Sequence, residues 1–195
     1  MVSTPITIRG ATLADLDVIV NFGAHMARET EDKTLDRPTL ISGVRAVLTD
    51  EAKGLYFVAK AERRVVGVLM ITYEWSDWRN GHYWWIQSVY VSPEWRRRGV
   101  FRALFQHVRQ LAQARNARGL RFYVERANEA AQATYEQMGM APSDYLIFEH
   151  LPHLKELIAI WWIPFLQTAR RYKEKGERWH NQTYCSSVWI TGQER

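Results

Sequence analysis

Residues 88–108, SVYVSPEWRRRGVFRALFQHV, change within a few positions from the pattern of a β-strand to that of an α-helix. The first part is rich in β-branched and aromatic residues, whereas the apolar residues after Gly99 recur at helical spacing. Pro93, three consecutive arginines and Gly99 separate the two parts. Any fold that accommodates this segment has a basic turn with a glycine where a strand leads into a helix.

Before this segment the sequence predicts one strand, two helices and then three antiparallel strands. PITIRG forms the first strand, and the first helix begins at Thr12 and Asp15, which have the spacing of a capping box. Pro38 is suited to start the second helix. GLYFVAK, RVVGVLMITYEW and YWWIQSVYV are the three strands, and the turn pair Asn80-Gly81 precedes the third.

After the arginines the sequence predicts a helix over about residues 99–114, then a strand and another helix. The strand is GLRFYVE, which alternates between apolar and polar residues. The helix is NEAAQATYEQMG, with Asn128 placed as its N-cap and Gly139 as its C-cap. One more strand is expected at DYLIFEH. This alternation of strands and helices is typical of a mixed α/β class.

The composition predicts one soluble globular domain, because 47% of the 195 residues are hydrophobic and 24% are charged. The net charge of +5 is compatible with an anionic partner. The single cysteine, Cys185, excludes an internal disulfide framework, and no segment has the length and apolarity of a membrane span. The first residues do not resemble a signal peptide, so we expect a cytoplasmic location.

The basic turn is suited to bind phosphate. A helix N-terminus presents unpaired backbone N–H groups and a partial positive charge, and Gly99 lets the backbone approach an anion without a Cβ in the way. One alternative is an ordinary solvated basic turn. A nucleic-acid patch is a second alternative, but the basic residues are local rather than spread along a face. We therefore expect no nucleic-acid partner.

The segment VYVSPEWRRRGVFRALFQHV, followed by YVERANEAAQATYEQMGM, resembles the acetyl-coenzyme A (acetyl-CoA) binding core of the GNAT superfamily of N-acyltransferases. That family has R/Q-x-x-G-x-G/A between its fourth strand and third helix, and N-x-x-A-x-x-x-Y on its fourth helix. Six residues occupy the motif positions: Arg96, Gly99, Phe101, Asn128, Ala131 and Tyr135. Phe101 departs from the pattern, since the family prefers a small residue there. We expect its side chain to point into the core while its N–H still faces phosphate.

The resemblance implies an α/β (α+β) fold with a central mixed, mostly antiparallel sheet that is flanked by helices and splayed between its fourth and fifth strands. The domain would span residues 1–150. Residues 151–195 would form a C-terminal extension that packs on the domain or on a second copy of the chain, as in a homodimer. An interfacial membrane anchor is the rival interpretation, because aromatic residues lie beside Arg and Lys there. We favour packing, since apolar surface of this kind is usually buried.

The resemblance also implies how acetyl-CoA would bind. Backbone N–H groups of the turn would hold the pyrophosphate, and the fourth strand would pair with the pantetheine arm. One strand N–H would stabilise the oxyanion formed on attack. Asn128 would hydrogen-bond the arm, although its role as an N-cap is equally supported. The expected cofactor-binding residues are Val89, Tyr90, Val91, Arg96, Arg97, Arg98, Gly99, Val100, Phe101, Arg102, Asn128 and Tyr135.

The implied reaction is direct attack on acetyl-CoA, in a ternary complex, by a primary amine of a small molecule or peptide. Tyr135 would be the general acid that protonates the leaving thiolate, and its alternative role is that of a core tyrosine. The amine, with a pKa of about 10.4, must lose a proton to a base or a water chain. Glu74 is the first candidate base, Glu29 the second and Glu125 a weaker third. Each has the alternative role of an ordinary surface carboxylate.

Other features of the sequence are less specific. Trp75, Trp78, Trp84 and Trp85 are candidates to line an apolar acceptor pocket, although strand tryptophans are more often core residues. His150 and His153 have the spacing of two metal ligands but no third partner, so we expect no metal site. The alternative to an enzyme is a non-catalytic acyl-CoA-binding or sensing module. Tyr135 distinguishes the two, because a sensor needs no proton donor beside the sulfur.

Overall fold

The structure, a computed structural model, describes residues 5–124 and 129–147. Five residues considered above, Glu125, Asn128, His150, His153 and Cys185, lie outside the described residues, as does the extension at 151–195. The elements described below all belong to the first of the chain's two units, residues 1–140.

Five strands form one sheet in the order β1-β2-β3-β4-β5, in which β4 and β5 are parallel and all other neighbours are antiparallel. Residues 144–147, the described part of the segment expected to form a sixth strand, are not in a strand. The expected class, a mixed and mostly antiparallel sheet with flanking helices, is confirmed. The elements are β1 (Thr7–Gly10), α1 (Leu16–Glu31), α2 (Arg37–Thr49), β2 (Leu55–Ala61), β3 (Arg64–Ser76), β4 (Gly81–Val91), α3 (Val100–Ala114), β5 (Gly119–Phe122) and α4 (Glu129–Gln137).

Polar side chains fix the start of α2 and of the short 3-10 turn, Leu13–Asp15, that leads into α1. Asp15 accepts a hydrogen bond from the Thr12 N–H at 2.8 Å, and its carboxylate binds Arg9 of β1 at 2.7 and 2.8 Å. Asp36 caps α2 by accepting from the Thr39 N–H at 2.9 Å. These local contacts attach α1 to the first strand and set its direction, so that its C-terminal end is carried toward the end of β4, where Glu29 contacts Tyr90.

The sheet is covered on both faces. On one face α3 packs through residues such as Leu104 and Val108 against buried side chains of β2, β3 and β4. On the other face α1 and α2 contribute Ile19, Val20 and Val44 to a second cluster. Complete burial of an aliphatic side chain stabilises a fold by about 1.5–3 kcal/mol, so each cluster holds its helices firmly to the sheet.

A β-bulge at Gln87 changes the direction in which the side chains of β4 point. Ile86 pairs with Ile71 and Ser88 with Met70, so Gln87 has no partner residue on β3. Before the bulge Ile86 belongs to the cluster beneath α3, whereas after it Tyr90 belongs to the cluster beneath α1 and α2. In a regular strand residues of equal parity share a face. The bulge therefore turns Tyr90 toward α1.

Strands β4 and β5 are paired along only part of their length. Their register runs from Tyr83 with Gly119 to Ile86 with Phe122, whereas β4 continues to Val91. We call residues 83–86 the paired half of β4 and residues 87–91 its open half. The Ser92 N–H donates to Val66 of β3 at 3.0 Å, so alternation along the strand points the backbone groups of Val89 and Val91 away from β3. That side of the open half has no partner strand among the described residues.

Candidate functional site

The turn between β4 and α3 has a backbone that favours glycine at one position. Gly99 has φ 82° and Arg97 has φ 62°, so both adopt the left-handed conformation. A Cβ on Gly99 would meet no atom within 4 Å, which means that conformation rather than space selects glycine here. Arg97 adopts the same conformation without that freedom, a form of strain that clusters at ligand-binding sites.

The start of α3 presents unpaired N–H groups in a positive environment. The Ala103 N–H donates to the Gly99 carbonyl at 3.0 Å. The N–H groups of Val100, Phe101 and Arg102 precede it, and a helix leaves such groups without an internal acceptor. The first turn of α3 contains no acidic residue. Partial positive charge from the helix and full charge from the neighbouring arginines therefore add at this point.

A cleft of about 570 Å³ opens between this turn and α4. We call it the arginine cleft, because Arg96, Arg97 and Arg102 line one side and α4 residues such as Gln137 line the other. Val91, the last residue of β4, also lines it, so the cleft is continuous with the open half of that strand. Its volume is in the range of small-molecule sites. The structure thus groups most of the cofactor-binding residues expected from the sequence.

Tyr135 lies where β4 and β5 separate. Its ring centroid is 4.0 Å from that of Phe122, the last residue of β5, and 5.8 Å from that of Phe101. Phe101 contacts Phe105 on its own helix, α3, as well as Tyr135 on α4. Its bulky side chain therefore packs between the two helices. Burial raises the pKa of the Tyr135 phenol above its usual value. The hydroxyl is therefore protonated at neutral pH and available as a proton donor.

Glu29, near the end of α1, is held by two donors, one from the open half of β4 and one from the turn that follows it. The Tyr90 hydroxyl donates to its Oε1 at 2.7 Å, and Nη2 of Arg96 donates to its Oε2. These hydrogen bonds hold the pKa of Glu29 below its usual value, and the bond from Tyr90 has a larger effect than the bond from Arg96. Burial and the bond to Glu29 raise the pKa of Tyr90 to about 12. Glu29 is accordingly an ionised, hydrogen-bonded carboxylate at neutral pH.

Glu74 lies at the paired half of β4. It stands opposite Tyr83 in the sheet and accepts hydrogen bonds from the Trp85 indole and from Nη1 of Arg121, the latter at 2.8 and 3.0 Å. Arg121 lies 3.9 Å from the ring centroid of Tyr83. The register places the backbone of Glu74 opposite Tyr83, which is four residues, or about 13 Å, along β4 from Gln87, the first residue of the open half. The structure therefore separates Glu74 from the arginine cleft.

A second pocket, of about 230 Å³, lies between the α1–α2 helix pair and the sheet. We call it the helix pocket. Its walls are mostly apolar and include Phe22, Met26 and Leu40, while Ser88 and Tyr90 of the open half form part of it. The tryptophans suggested from the sequence do not line it. These tryptophans also differ in exposure. Trp84 is only 3% exposed, whereas Trp78, at the tip of the β3–β4 hairpin, is 82% exposed.

The sequence contained a weak signal for the helix pocket, the apolar stripe of α1, but such a stripe equally indicates ordinary core packing.

Across residues 5–124 and 129–147, no three His, Cys, Asp or Glu side chains are grouped as a metal site would require. Within the same ranges, every helix is too short or too polar to cross a membrane.

Comparison with known proteins identifies relatives of this arrangement. The model of the acetyltransferase (GNAT) family matches residues 23–140. A possible acetyltransferase from Clostridium difficile 630 has a solved structure with 48% identity and a TM-score of 0.71, and the match covers 75% of this chain and 97% of that one. A probable acetyltransferase has 25% identity and a TM-score of 0.67, over 75% of this chain and 97% of the other.

A more distant structure shows the shared fold alone. It is the aminoglycoside N-acetyltransferase AAC(6')-Iy in complex with CoA, which is 14% identical, with a TM-score of 0.64 over 76% of this chain and 96% of that one. A comparison with curated proteins gave no match.

Proposed function

The chain belongs to the GNAT acetyltransferase family, as its two motifs predicted, and we propose that it transfers an acetyl group from acetyl-CoA to a primary amine of a small molecule or peptide. Donor and acceptor would be bound together, and the amine would attack the thioester directly. The proposal concerns the full chain, in which residues 151–195 would pack on the domain or on a second copy.

One observation carries the proposal: the arginine cleft is continuous with the open half of β4. The turn offers unpaired N–H groups and the side chains of Arg96, Arg97 and Arg102, which is the chemistry that binds a pyrophosphate. Beyond it, the outward N–H groups of Val89 and Val91 and the C=O group of Val89 suit the amide groups of a pantetheine arm, whereas the Val91 C=O already accepts from Arg96. A pyrophosphate joined to an amide-containing arm is the combination that coenzyme A provides.

The residues of the chain would then divide the chemistry as follows. An outward N–H of the open half would donate to the thioester carbonyl oxygen and stabilise the negative charge that develops on it. The new C–N bond forms as the amine attacks, and the C–S bond breaks. Tyr135 would donate its hydroxyl proton to the departing sulfur and regain a proton from solvent. Its position beside Phe122, where β4 and β5 separate, supports this role.

The acceptor amine would approach from the other face of the sheet, through the helix pocket. Ser88 and Tyr90 belong both to this pocket and to the open half of β4, so an acceptor held there would lie close to the thioester. The walls formed by Phe22, Met26 and Leu40 favour an apolar group on the acceptor.

The proton of the attacking amine would leave through water. Both Glu29 and Glu74 are bound to arginines, and the hydrogen bonds to Glu29 lower its pKa and make it a weaker base. At pH 7.4 only about one in a thousand amines with a pKa near 10.4 is neutral. That fraction is sufficient if the site selects the neutral amine, so no basic side chain is required.

The test is an assay of the purified full chain with acetyl-CoA and a panel of amines that differ in their apolar part. Thiol release is measured with and without amine, and the product is identified by mass spectrometry. We expect amine-dependent thiol release and an N-acetylated product for amines with an apolar group. Binding of acetyl-CoA without amine-dependent release for any amine would contradict the proposal and indicate an acyl-CoA-binding module.

A further inference from the structure

Three side chains from distant parts of the chain meet between the two pockets. Glu29 comes from α1, Tyr90 from the open half of β4, and Arg96 from the turn that follows. Residues 29 and 96 are 67 positions apart, and residues 29 and 90 are 61 apart. Contacts over such separations form only through the tertiary fold, so they are specific to this arrangement of α1 and the turn.

Arg96 is fixed from three directions. Its Nη2 donates to Glu29, its Nε donates to the Val91 carbonyl at 3.0 Å, and its guanidinium carbon lies 5.5 Å from the ring centroid of Tyr90. Since a guanidinium has five N–H donors in a rigid plane, these contacts fix its orientation and leave donors for a ligand.

The same contacts link the two pockets. Met26 and Ala27 of α1 line the helix pocket about one turn before Glu29, and Tyr90 lines it from the sheet. Val91 and Arg96 line the arginine cleft. Glu29 therefore connects the helix that would contact the acceptor with the turn that would contact the pyrophosphate.

We propose that Glu29 is a positioning residue that holds the Arg96 guanidinium at the mouth of the arginine cleft, ready for the pyrophosphate of acetyl-CoA. Glu29 acts through Arg96, and not on the amine. This inference rests on the proposed function, because it assumes that the ligand of the arginine cleft is coenzyme A.

Glu29 could also weaken phosphate binding instead of supporting it. Its charge partly neutralises Arg96, and if that effect dominated, removal of Glu29 would strengthen phosphate binding. The two side chains are 45% and 40% exposed to solvent, and ion pairs with this exposure have small Coulomb energies. Loss of orientation therefore outweighs gain of charge, and removal of the carboxylate weakens binding.

The experiment is calorimetric titration of CoA into the full chain, with wild type compared with Glu29→Ala and Glu29→Gln. We expect Glu29→Ala to raise the Kd about three- to tenfold. Glu29→Gln should raise it less than about twofold, because the amide oxygen still accepts from Arg96. The matched control is Glu51→Ala, which removes an exposed carboxylate 3.9 Å from Arg115 and outside the arginine cleft, and should leave the Kd unchanged.

Kinetics provide a readout that a purely structural role would not change. With acetyl-CoA and an active amine, Glu29→Ala should raise the KM for acetyl-CoA in parallel with the Kd and leave kcat within about threefold of wild type. In an Arg96→Gln background the added Glu29→Ala substitution should have no further effect on the Kd. If Glu29→Ala lowers folding yield, Tyr90→Phe removes one of the two donors to Glu29 and should raise the Kd by about twofold.

The outcomes separate this inference from the proposed function. An unchanged or lower Kd in Glu29→Ala, while wild type binds CoA, overturns the positioning role and leaves the proposed function intact. A kcat lowered 100-fold at an unchanged KM also overturns it, and makes Glu29 the base. Failure of the wild type to bind CoA overturns the proposed function, and the inference with it.

Discussion

The structure contains two carboxylate–arginine pairs that look alike and lie beside different halves of β4. Glu29 and Arg96 have side chains that are 40% and 45% exposed, and Glu74 and Arg121 are 40% and 36% exposed. Exposure and chemistry therefore do not distinguish the pairs. The backbone beside them does, because Arg96 adjoins the open half of β4 whereas Arg121 belongs to β5 and is paired with Trp85 in the paired half.

This difference indicates what each pair does. Glu74 on β3 reaches across β4, through the Trp85 indole, to Arg121 on β5, so the pair holds three strands together. Glu29 and Arg96 instead hold a turn beside backbone groups that have no partner strand among the described residues. We therefore expect the pair at the paired half to contribute to stability, and the proposal assigns the pair at the open half to binding.

The largest effect expected at the open half is the loss of turnover in Tyr135→Phe. This change keeps the ring that contacts Phe122 and removes only the hydroxyl, so kcat should fall about 10²- to 10⁴-fold while CoA affinity stays within about twofold. Steady-state kinetics and calorimetry measure the two quantities.

The matched control is Tyr123→Phe, because Tyr123 stacks on Trp85 at the paired half and should tolerate the change without loss of turnover. A kcat for Tyr135→Phe within about threefold of wild type would return Tyr135 to a packing role, since the barrier would then have changed by less than roughly 0.7 kcal/mol.

Gly99→Val should weaken CoA binding about 5- to 30-fold. A residue with a Cβ pays about 1–2 kcal/mol in the left-handed conformation that Gly99 adopts, so the turn would rearrange. Calorimetry measures the change in Kd. The control is Gly43→Ala within α2, where a Cβ meets no atom and φ is ordinary for a helix, and the Kd should not change. Equal affinity in wild type and Gly99→Val would remove the turn from the binding site.

The pH dependence of the reaction shows whether water or a carboxylate takes the proton of the attacking amine. If water takes the proton, kcat/KM for the amine should rise about tenfold per pH unit from pH 6 to 9, because the neutral fraction of the amine rises by that factor. Glu29 is ionised throughout this range, since hydrogen bonds hold its pKa below the ordinary value of 4.5. The slope should be present in wild type and should persist in Glu29→Gln and Glu74→Gln. A wild-type kcat/KM that is flat over this range, with the slope appearing only when one of these carboxylates is removed, would identify that residue as the base.

The smallest effect is expected for Glu74→Gln at the paired half. An ion pair with this exposure contributes about 0.2–1 kcal/mol, so the free energy of unfolding should fall by no more than about 1 kcal/mol. Chemical denaturation measures the loss, and both the Kd for CoA and kcat should stay within about threefold of wild type. A 100-fold loss of kcat without loss of stability would assign the base to the paired half of β4.

Local patterns made much of this fold predictable. The turn at Gly99, the start of α1 and the strand sequences all depend on residues close together in the chain, and the structure contains them. The β-bulge at Gln87 was not predictable, because YWWIQSVYV reads as a regular strand and the bulge depends on its register with β3. A regular strand would place Tyr90 on the same face as Ile86, beneath α3. The sequence alone therefore does not indicate that Tyr90 faces α1.

The candidate site was predictable to a lesser extent. The motifs predicted a role for the turn and for Tyr135, and this stays a prediction. The bond between Glu29 and Arg96 joins residues 67 positions apart, and no local pattern carries that information. The sequence therefore suggested Glu29 as a carboxylate near the site without its partner. The same limit applies to Glu74, whose partner Arg121 lies on a strand that adjoins β4 rather than β3.

The most direct test of the account is a titration of CoA followed by backbone amide NMR of the full chain, whose mass of 22.9 kDa permits assignment. We predict the largest chemical-shift changes at Val89, Val91 and the amides of residues 97–102, with small changes at residues 83–86 of the paired half. Changes concentrated at residues 83–86 and Arg121, or no changes along β4 at saturating CoA, would contradict the assignment of the open half of β4 and the arginine cleft as the coenzyme A site.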